Sequence, residues 1–166
     1  MRLRDLKLTN YRNCKDLYLD LSGNKILIIG KNAQGKTNIL ESIYFLSTLK
    51  SPRTSNNLEL INFEAEKAEI NCNMIKADTD VELDFSYSKE KKREIALNKV
   101  KTTPKNFKSV LKTVLFSTAD LLLLRGNPSD RRDWLDRAIS QIYPAYDERL
   151  SKYDKIRIQK NNLLKD

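Results

Sequence analysis

The sequence predicts an α/β fold organised around a loop that joins a buried strand to a helix. Three observations indicate this fold. Residues 26–29 form a continuous apolar run, as expected of a central strand that is buried on both faces. A loop bounded by glycines follows at residues 30–37, and apolar side chains then recur at helical spacing as far as Leu49. We therefore expect a mixed sheet that surrounds the helix after the loop.

Two half-buried strands are predicted before this unit. Leucines alternate with polar residues near residues 6–8 and again at residues 17–21. A turn at residues 10–13 separates the two strands, and Gly23 lies in a second turn that leads into the apolar run. After the loop, Pro52 ends the predicted helix because the residue before a proline disfavours helical geometry.

The middle of the chain is predicted to form an antiparallel β subdomain. Residues 68–75 and 93–97 are candidate strands, and residues 81–87 alternate strictly between apolar and polar side chains. The turn at residues 88–92 would connect the strands at residues 81–87 and 93–97 and let them pair. A short apolar run at residues 114–116 predicts a buried strand that returns to the core.

The last part of the chain is predicted to be helical. Asn127 is a suitable N-cap and Pro128 suits the first helical position. Trp134 lies on the apolar stripe of this helix, where packing is the expected role. Pro144 breaks the pattern, and a second helix begins at about Ala145. The helical pattern continues to the last residues without a C-cap, so we expect the domain to be incomplete.

These elements suggest three parts within one incomplete ATPase-type domain at residues 1–166. Residues 1–60 would form a phosphate-loop core, and residues 61–112 a β-rich subdomain. Residues 113–166 would contain the return strand and the start of a helical subdomain.

Composition limits the chemistry that the chain can perform. The net charge is +9, and such an excess attracts polyanions, with nucleic acid the leading candidate. Histidine is absent, so histidine acid–base catalysis is excluded. We expect Cys14 and Cys72 to be packing residues. No stretch approaches the roughly 20 apolar residues of a membrane span, and no signal peptide is evident, so a cytoplasmic protein is expected.

The loop has the sequence Gly-Lys-Asn-Ala-Gln-Gly-Lys-Thr, which fits the phosphate-binding pattern G-x-x-x-x-G-K-[ST] at every fixed position. Glycines let the backbone N–H groups point at phosphate oxygens, and the helix N-terminus favours negative charge. Lys36 would contact the β- and γ-phosphates, and the Thr37 hydroxyl would ligate Mg²⁺. We expect ATP with Mg²⁺ as the ligand. The predicted nucleotide-binding residues are Gly30, Lys31, Asn32, Ala33, Gln34, Gly35, Lys36 and Thr37.

A carboxylate that could hold the metal and position water is not evident. Asp147 and Glu148 follow Tyr-Pro-Ala-Tyr, which is not an apolar strand. Asp120 follows the run at residues 114–116 at some distance and has no second acid beside it. The sequence therefore leaves ATP hydrolysis open.

Several segments together resemble the RecF family of DNA replication and repair proteins, in the SMC-like branch of the ABC-type ATPases. The opening Leu-x-Leu-Thr-Asn-Tyr-Arg-Asn and the extended loop Gly-Lys-Asn-Ala-Gln-Gly-Lys-Thr-Asn-Ile-Leu-Glu-Ser-Ile-Tyr both fit the family. Ser-Pro-Arg-Thr at residues 51–54 is similar to its Ser-His-Arg-Thr, and Gly-Asn-Pro-Ser-Asp-Arg-Arg at residues 126–132 is similar to its Gly-x-Pro-x-x-Arg-Arg. The match covers nearly the whole chain but only the N-terminal part of family members.

This resemblance implies the N-terminal lobe of an ABC/SMC-type ATPase head. Family members bind single-stranded and gapped or junction DNA in replication, recombinational repair and the SOS response. They dimerise around ATP, hydrolyse it slowly, and act with RecO and RecR. The family's signature helix and Walker B strand would lie beyond residue 166, which would explain why neither is evident here.

The resemblance and the charge pattern suggest further site residues. Arg12 and Asn13 lie in a turn that approaches the nucleotide in related ATPases, although a solvated turn is an equal alternative. Asp120 is a candidate for a metal- or water-linked role. A basic segment could contact the DNA backbone or form a solvated hairpin; its candidate residues are Lys89, Lys91, Lys92 and Arg93.

Two other functions remain open at this point. A small phosphotransferase or kinase could carry the same loop, but it would also need an acid-ending strand and substrate-binding residues within this length. A nucleotide-binding fragment without hydrolytic activity is the second alternative. Nucleotide binding measured alongside ATP turnover would distinguish them.

Overall fold

The structure, a computed structural model, describes residues 1–118, 120–122 and 126–164. The chain divides into two compact units, residues 1–115 and residues 116–166. The first contains a β-sheet, two α-helices and a short 3-10 helix (Asn57–Leu60), and the second is mainly helical. Among the helices of the described ranges, none is long and apolar enough to cross a membrane.

The first unit is built on a six-stranded sheet in the order β2-β1-β3-β4-β5-β6. Neighbouring strands pair antiparallel throughout. The strands are β1 (Arg2–Tyr11), β2 (Cys14–Asp20), β3 (Lys67–Lys76), β4 (Thr79–Ser88), β5 (Arg93–Leu97) and β6 (Val100–Lys101). The alternation of apolar and polar residues predicted β1, β2 and β4, because one face of each strand must be buried. The candidate strands at residues 68–75 and 93–97 correspond to β3 and β5.

The core lies between this sheet and helix α1 (Lys36–Thr48). Leu8, Ile70 and Phe85 lie side by side across β1, β3 and β4, and all three are buried. Phe45 of α1 packs edge-on against Phe85, with 4.6 Å between the ring centroids. Burial of aromatic and aliphatic side chains of this size is the main favourable term in folding. The helix that follows the glycine-bounded loop is therefore anchored firmly to the sheet.

The remaining helices are short or belong to the second unit. Helix α2 (Pro104–Lys108) begins at Thr103, whose hydroxyl accepts a hydrogen bond from the backbone N of Asn106. The second unit contains α3 (Pro128–Ile142) and α4 (Pro144–Leu163). As predicted, α3 begins after Asn127, whose backbone N donates to the carboxylate of Asp130 at 3.0 Å.

The apolar run at residues 26–29 differs from the prediction. It is not part of a strand, and Ile26, Leu27 and Ile29 are 49%, 84% and 81% exposed. A strand needs a neighbour for its backbone hydrogen bonds, and the described residues supply none beside this run. The predicted mixed sheet is accordingly not seen within the described part of the chain, where only antiparallel pairs occur.

Two other parts of the chain that were predicted to be buried are exposed, for related reasons. The run at residues 114–116 forms no strand, and Val114 and Phe116 are 99% and 73% exposed. Trp134 on α3 is 43% exposed rather than fully packed. Apolar character predicts that a segment has a burial partner, but it does not say where that partner comes from.

Candidate functional site

The glycine-bounded loop joins the apolar run at residues 26–29 to the first turn of α1. Gly35 is the N-cap of α1 and has a left-handed backbone, with φ of 92°. A Cβ atom at this position would lie 3.0 Å from Asn13 Oδ1 and 3.3 Å from Cys14 Sγ. Glycine is therefore required here for two reasons, the backbone conformation and the close approach of the β1–β2 turn.

Lys36 and Thr37 occupy the first two positions of α1, directly after the loop. The ammonium of Lys36 folds back over the loop and donates to the carbonyl oxygens of Gly30 at 2.7 Å and Lys31 at 2.6 Å. Thr37 is exposed, and the first turn of α1 contains no acidic residue. A helix N-terminus and a lysine ammonium together favour a bound phosphate.

Asn13 connects the β1–β2 turn to both the loop and the helix. Its Nδ2 atom donates to the carbonyl oxygen of Ala33 at 3.0 Å, and its Oδ1 atom accepts from Asn38 Nδ2 at 2.7 Å. Ala33 has a positive φ of 65°, so this part of the loop has a conformation that few non-glycine residues adopt. Asn13 thus holds the strained part of the loop against the first turn of α1.

A buried carboxylate, that of Glu41, lies one turn further along α1. Its side chain is fully buried and accepts two hydrogen bonds from Arg12, from Nη2 at 2.7 Å and from Nε at 3.1 Å. Arg53 Nη1 lies 3.3 Å from Glu41 Oε2, and Ser51 Oγ lies 2.5 Å from Glu41 Oε1. A buried charge is tolerated only when it is paired and hydrogen-bonded, and Glu41 is both.

Arg12 is therefore directed at α1 rather than at the mouth of the loop. Its Nη1 atom also donates to the carbonyl oxygen of Glu59 at 2.9 Å, and Asn62 Nδ2 donates to the carbonyl oxygen of Arg12 at 2.8 Å. Burial lowers the pKa of the Arg12 guanidinium, but the hydrogen bond and negative charge of Glu41 outweigh burial and the pKa is raised. Arg12 therefore stays charged, and it stabilises the turn that contains Asn13.

The predicted basic segment lies at the β4–β5 turn. Lys89 pairs with Glu66 at 2.8 Å, and Lys92 pairs with Glu90 at 2.6 Å. Lys91 lies in the turn with φ of 60°, and Arg93 begins β5. The segment is thus a mixture of both charges, with carboxylates beside two of its four basic residues.

Asp120 lies in the second unit. Its carboxylate accepts hydrogen bonds from the backbone N and the hydroxyl of Ser117, both at 2.7 Å. The hydroxyl hydrogen bond is the main cause that lowers the pKa of Asp120. Within residues 1–118, 120–122 and 126–164, no group of three or more cysteine, aspartate or glutamate side chains is arranged to hold a metal ion.

Asn38, Glu41, Ser51 and Arg53 lie in the segments that resemble the RecF family, but the sequence did not predict that their side chains contact one another. A further signal was that Glu41 is a charged residue among the apolar residues of α1, and a buried charged residue requires a partner. Arg53 donates to Asn38 Oδ1 at 2.7 Å as well as to Glu41. The segment after α1 is therefore tied to the first turn of the helix.

Comparison with known proteins identifies the family of the chain. Residues 1–165 match the family described as the AAA ATPase domain. The DNA replication and repair protein RecF of Bacillus cytotoxicus is 39% identical over 99% of the chain, and that of Alkaliphilus oremlandii is 40% identical. The chain spans 44% and 46% of the length of these two relatives.

Solved structures show the same fold. A structure of the recombination mediator protein RecF with ATP superposes with a TM-score of 0.90 at 34% identity, over 99% of this chain and 44% of that one. A structure from work on ATP-driven dimerisation of SMC ATPases has a TM-score of 0.68 at 20% identity, over 82% of this chain and 98% of that one. The resemblance to RecF and the phosphate-loop ATPase fold are confirmed, and the chain belongs to the family of AAA ATPase domains.

Proposed function

We propose that the chain binds ATP with Mg²⁺ through residues 30–37 and uses the nucleotide to control binding to DNA in replication and recombinational repair. The observation that carries the proposal is the position of the Lys36 ammonium, which lies over the glycine-bounded loop at the N-terminus of a helix. Solved relatives in which RecF is described with ATP support the same ligand.

The residues of the loop fit a triphosphate and a divalent cation. Backbone N–H groups of residues 30–37 would hold the phosphates, and Lys36 would exchange its two carbonyl partners for phosphate oxygens. The exposed hydroxyl of Thr37 would ligate Mg²⁺, which supplies the positive charge that neutralises the phosphates. Asn13 and Asn38 fix the loop by linking Ala33 to the first turn of α1.

The finer parts of this function are proposed from the similarity of the chain to RecF. We propose ATP-promoted dimerisation, a preference for single-stranded and gapped or junction DNA, cooperation with RecO and RecR, a role in the SOS response, and a cytoplasmic location. Support comes from the curated relatives, which are named as DNA replication and repair proteins. The SMC ATPase structure that shares the fold comes from work on ATP-driven dimerisation and DNA-stimulated activation.

We further propose that residues 30–37 form one half of a composite site. Thr37 is exposed, and a second subunit would close the loop over the nucleotide. Asp120 is proposed to contribute to metal or water binding. The proposed turnover is slow and depends on this second half, so the chain alone is expected to bind ATP and hydrolyse little of it.

Equilibrium binding of ATP by the chain tests the proposal. Lys36→Ala removes the ammonium from the loop and is expected to weaken binding by at least about tenfold, because charge-assisted hydrogen bonds to phosphate are lost. Lys50→Ala removes the same charge beyond the other end of α1 and should leave the affinity unchanged. Equal affinities of Lys36→Ala and the unsubstituted chain would refute the site. ATP turnover in the same samples, if rapid, would refute the composite site only.

A further inference from the structure

Three consecutive hydrogen bonds lead from the segment after α1 to the nucleotide loop. Arg53 Nη1 donates to Asn38 Oδ1 at 2.7 Å, and Asn38 Nδ2 donates to Asn13 Oδ1 at 2.7 Å. Asn13 Nδ2 then donates to the carbonyl oxygen of Ala33 at 3.0 Å. We refer to these three hydrogen bonds, from Arg53 to Ala33, as the hydrogen-bond series. It connects a residue beyond the end of α1 to the loop that precedes the helix.

The two ends of the hydrogen-bond series fix the orientation of both asparagine amides. A guanidinium can only donate, so the atom of Asn38 that faces Arg53 must be its oxygen. The carbonyl oxygen of Ala33 can only accept, so the atom of Asn13 that faces it must be its nitrogen. The remaining nitrogen of Asn38 and oxygen of Asn13 then form the central hydrogen bond. Neither amide can turn over without placing two donors or two acceptors together.

Arg53 is held at the start of the hydrogen-bond series by groups other than Asn38. The same Nη1 atom lies 3.3 Å from Glu41 Oε2, and the side chain of Glu41 is fully buried. The backbone N of Arg53 donates to Ser51 Oγ at 3.0 Å, and this hydroxyl also contacts Glu41. The guanidinium thus has a defined position although the side chain is 48% exposed. Because a charged donor strengthens the hydrogen bonds linked to it, Arg53 polarises the series.

The last hydrogen bond of the series determines the direction of one peptide group in the loop. The described residues contain no cis peptide bond, so the C=O of Ala33 and the N–H of Gln34 point in opposite directions. Because this C=O faces Asn13, the N–H of Gln34 faces away from the β1–β2 turn. Ala33 has a positive φ, which a residue other than glycine keeps only when its surroundings hold it there. The hydrogen-bond series supplies such a contact.

We propose that Arg53 is a positioning residue for nucleotide binding, which acts through the hydrogen-bond series to direct the N–H of Gln34 at a phosphate oxygen of ATP. Backbone N–H groups of such a loop bind phosphate only when they point at it, and a reversed peptide group would present a carbonyl oxygen instead. Arg53 needs no contact with the nucleotide in this role. The inference rests on the proposed ATP-binding function and specifies what shapes the loop for it.

Arg4 offers a matched control for the experiment. Its Nη1 atom lies 3.0 Å from Asp80 Oδ1 and its side chain is 52% exposed, so it resembles Arg53 in exposure and in having a carboxylate partner. Arg4→Ala and Arg53→Ala each remove one positive charge, but only Arg53→Ala removes the first donor of the hydrogen-bond series. Glu41 keeps its two hydrogen bonds from Arg12 in Arg53→Ala, so we expect this variant to fold, which thermal melting checks.

A double-mutant cycle in ATP affinity, measured by isothermal titration calorimetry, tests whether Arg53 acts through Asn13. Arg53→Ala should weaken ATP binding about fivefold, somewhat less than Asn13→Ala, because Asn13 and Ala33 can still meet when the first donor is lost. The double substitution should bind about as weakly as Asn13→Ala alone, whereas independent effects of about fivefold and tenfold would multiply to about fiftyfold. Arg4→Ala should keep the affinity of the unsubstituted chain.

The backbone amide resonance of Gln34 reports the peptide group directly. In nuclear magnetic resonance spectra recorded without nucleotide, this resonance should shift in Arg53→Ala and stay in place in Arg4→Ala. Should Arg53→Ala fail to fold, Asn38→Ala breaks the hydrogen-bond series at its centre and leaves the ion pair of Arg53 with Glu41 intact. It should give the same shift and a similar loss of ATP affinity.

The outcomes separate this inference from the proposed function. Losses of affinity that multiply in the double variant would overturn the inference, because Arg53 would then act independently of Asn13. An equal loss in Arg4→Ala would also overturn it, since the effect would be one of net charge, and so would an unshifted Gln34 resonance in folded Arg53→Ala. Each of these results leaves ATP binding by the unsubstituted chain intact. Absence of that binding would refute the proposed function itself.

Discussion

Arg12 donates two hydrogen bonds to the buried carboxylate of Glu41, and these bonds tie the β1–β2 turn to the helix that follows the phosphate loop. The side chain of Arg12 is 14% exposed and that of Glu41 is fully buried. Because Asn13 follows Arg12 directly, the ion pair also determines where Asn13 meets the loop. A contact outside the loop therefore contributes to the shape of the loop.

Glu41→Ala is expected to destabilise the chain strongly, because the part-buried Arg12 guanidinium loses the carboxylate that accepts two of its hydrogen bonds. Removal of one member of a buried ion pair costs about 3–5 kcal/mol. Urea denaturation measures the change in the free energy of unfolding. The double substitution Arg12→Ala and Glu41→Ala is the control, and it should cost less than the sum of the two single substitutions. Strict additivity would mean that the pair does not act as a unit.

Asn13→Ala is expected to weaken ATP binding by about tenfold with little change in stability, since the exposed side chain supports the loop rather than the core. Isothermal titration calorimetry gives the affinity. Asn24→Ala, which alters another exposed turn asparagine, is the matched control and should bind ATP normally. Identical affinities for the two variants would exclude a supporting role for Asn13.

Gly35→Ala is expected to reduce ATP affinity by more than about tenfold. A residue other than glycine is strained by about 1–3 kcal/mol at such a backbone conformation, and the new Cβ would lie 3.0 Å from Asn13 Oδ1. Gly23→Ala is a suitable control, because its Cβ would meet only ordinary contacts, at 3.5 Å and 3.6 Å. ATP affinity and thermal melting are measured together. The inference fails if both alanine variants bind ATP equally.

Tyr11→Phe is expected to leave stability unchanged or to raise it by up to about 1 kcal/mol, because the buried hydroxyl of Tyr11 has no hydrogen-bond partner within the described residues. Burial, followed by the charge of Glu41, raises the pKa of this hydroxyl well above its usual value. Above about pH 10 the unfolded chain therefore loses this proton while the native chain keeps it, so stability falls as pH rises.

The substitution should make this decline less steep, by up to about 1.4 kcal/mol per pH unit. Urea denaturation at pH values on either side of 10 compares the two slopes. Tyr18→Phe, at a 65% exposed position on β2, is the control and should keep the slope of the unsubstituted chain. A slope in Tyr11→Phe that matches the unsubstituted chain would show that Tyr11 does not cause the decline.

Local patterns predicted the elements whose burial partners lie nearby. The alternation in β4 identified a strand because β3 and β5 flank it and the core lies on one side. The loop at residues 30–37 was evident because its chemistry demands particular residues at fixed spacing. The same reasoning overestimated burial at residues 26–29 and 114–116, since apolar character does not reveal whether a pairing strand is available.

The supporting network around Glu41 required the three-dimensional fold. Arg12, Glu41 and Arg53 are 29 and 12 residues apart in sequence, and they meet because a turn, a helix and the segment after it converge. The pairing of charges in the basic segment at the β4–β5 turn also depends on the three-dimensional fold. Glu66 immediately precedes β3, and its neighbour Lys67 lies opposite Ser88, so Glu66 comes beside Lys89. A lysine run read along the chain shows the positive charges but not the carboxylates that face them.

The exposed run at residues 26–29 is expected to affect how the chains associate in solution. Leu27 and Ile29 present apolar side chains to solvent, and the described residues supply no pairing strand beside them. An exposed apolar run of this kind promotes association between chains. At high concentration the chain is therefore expected to form oligomers that light scattering detects, and ATP should not be needed for them. Leu27→Lys places a charge in this apolar run and should keep the chain monomeric without ATP, which distinguishes this association from dimerisation driven by the nucleotide.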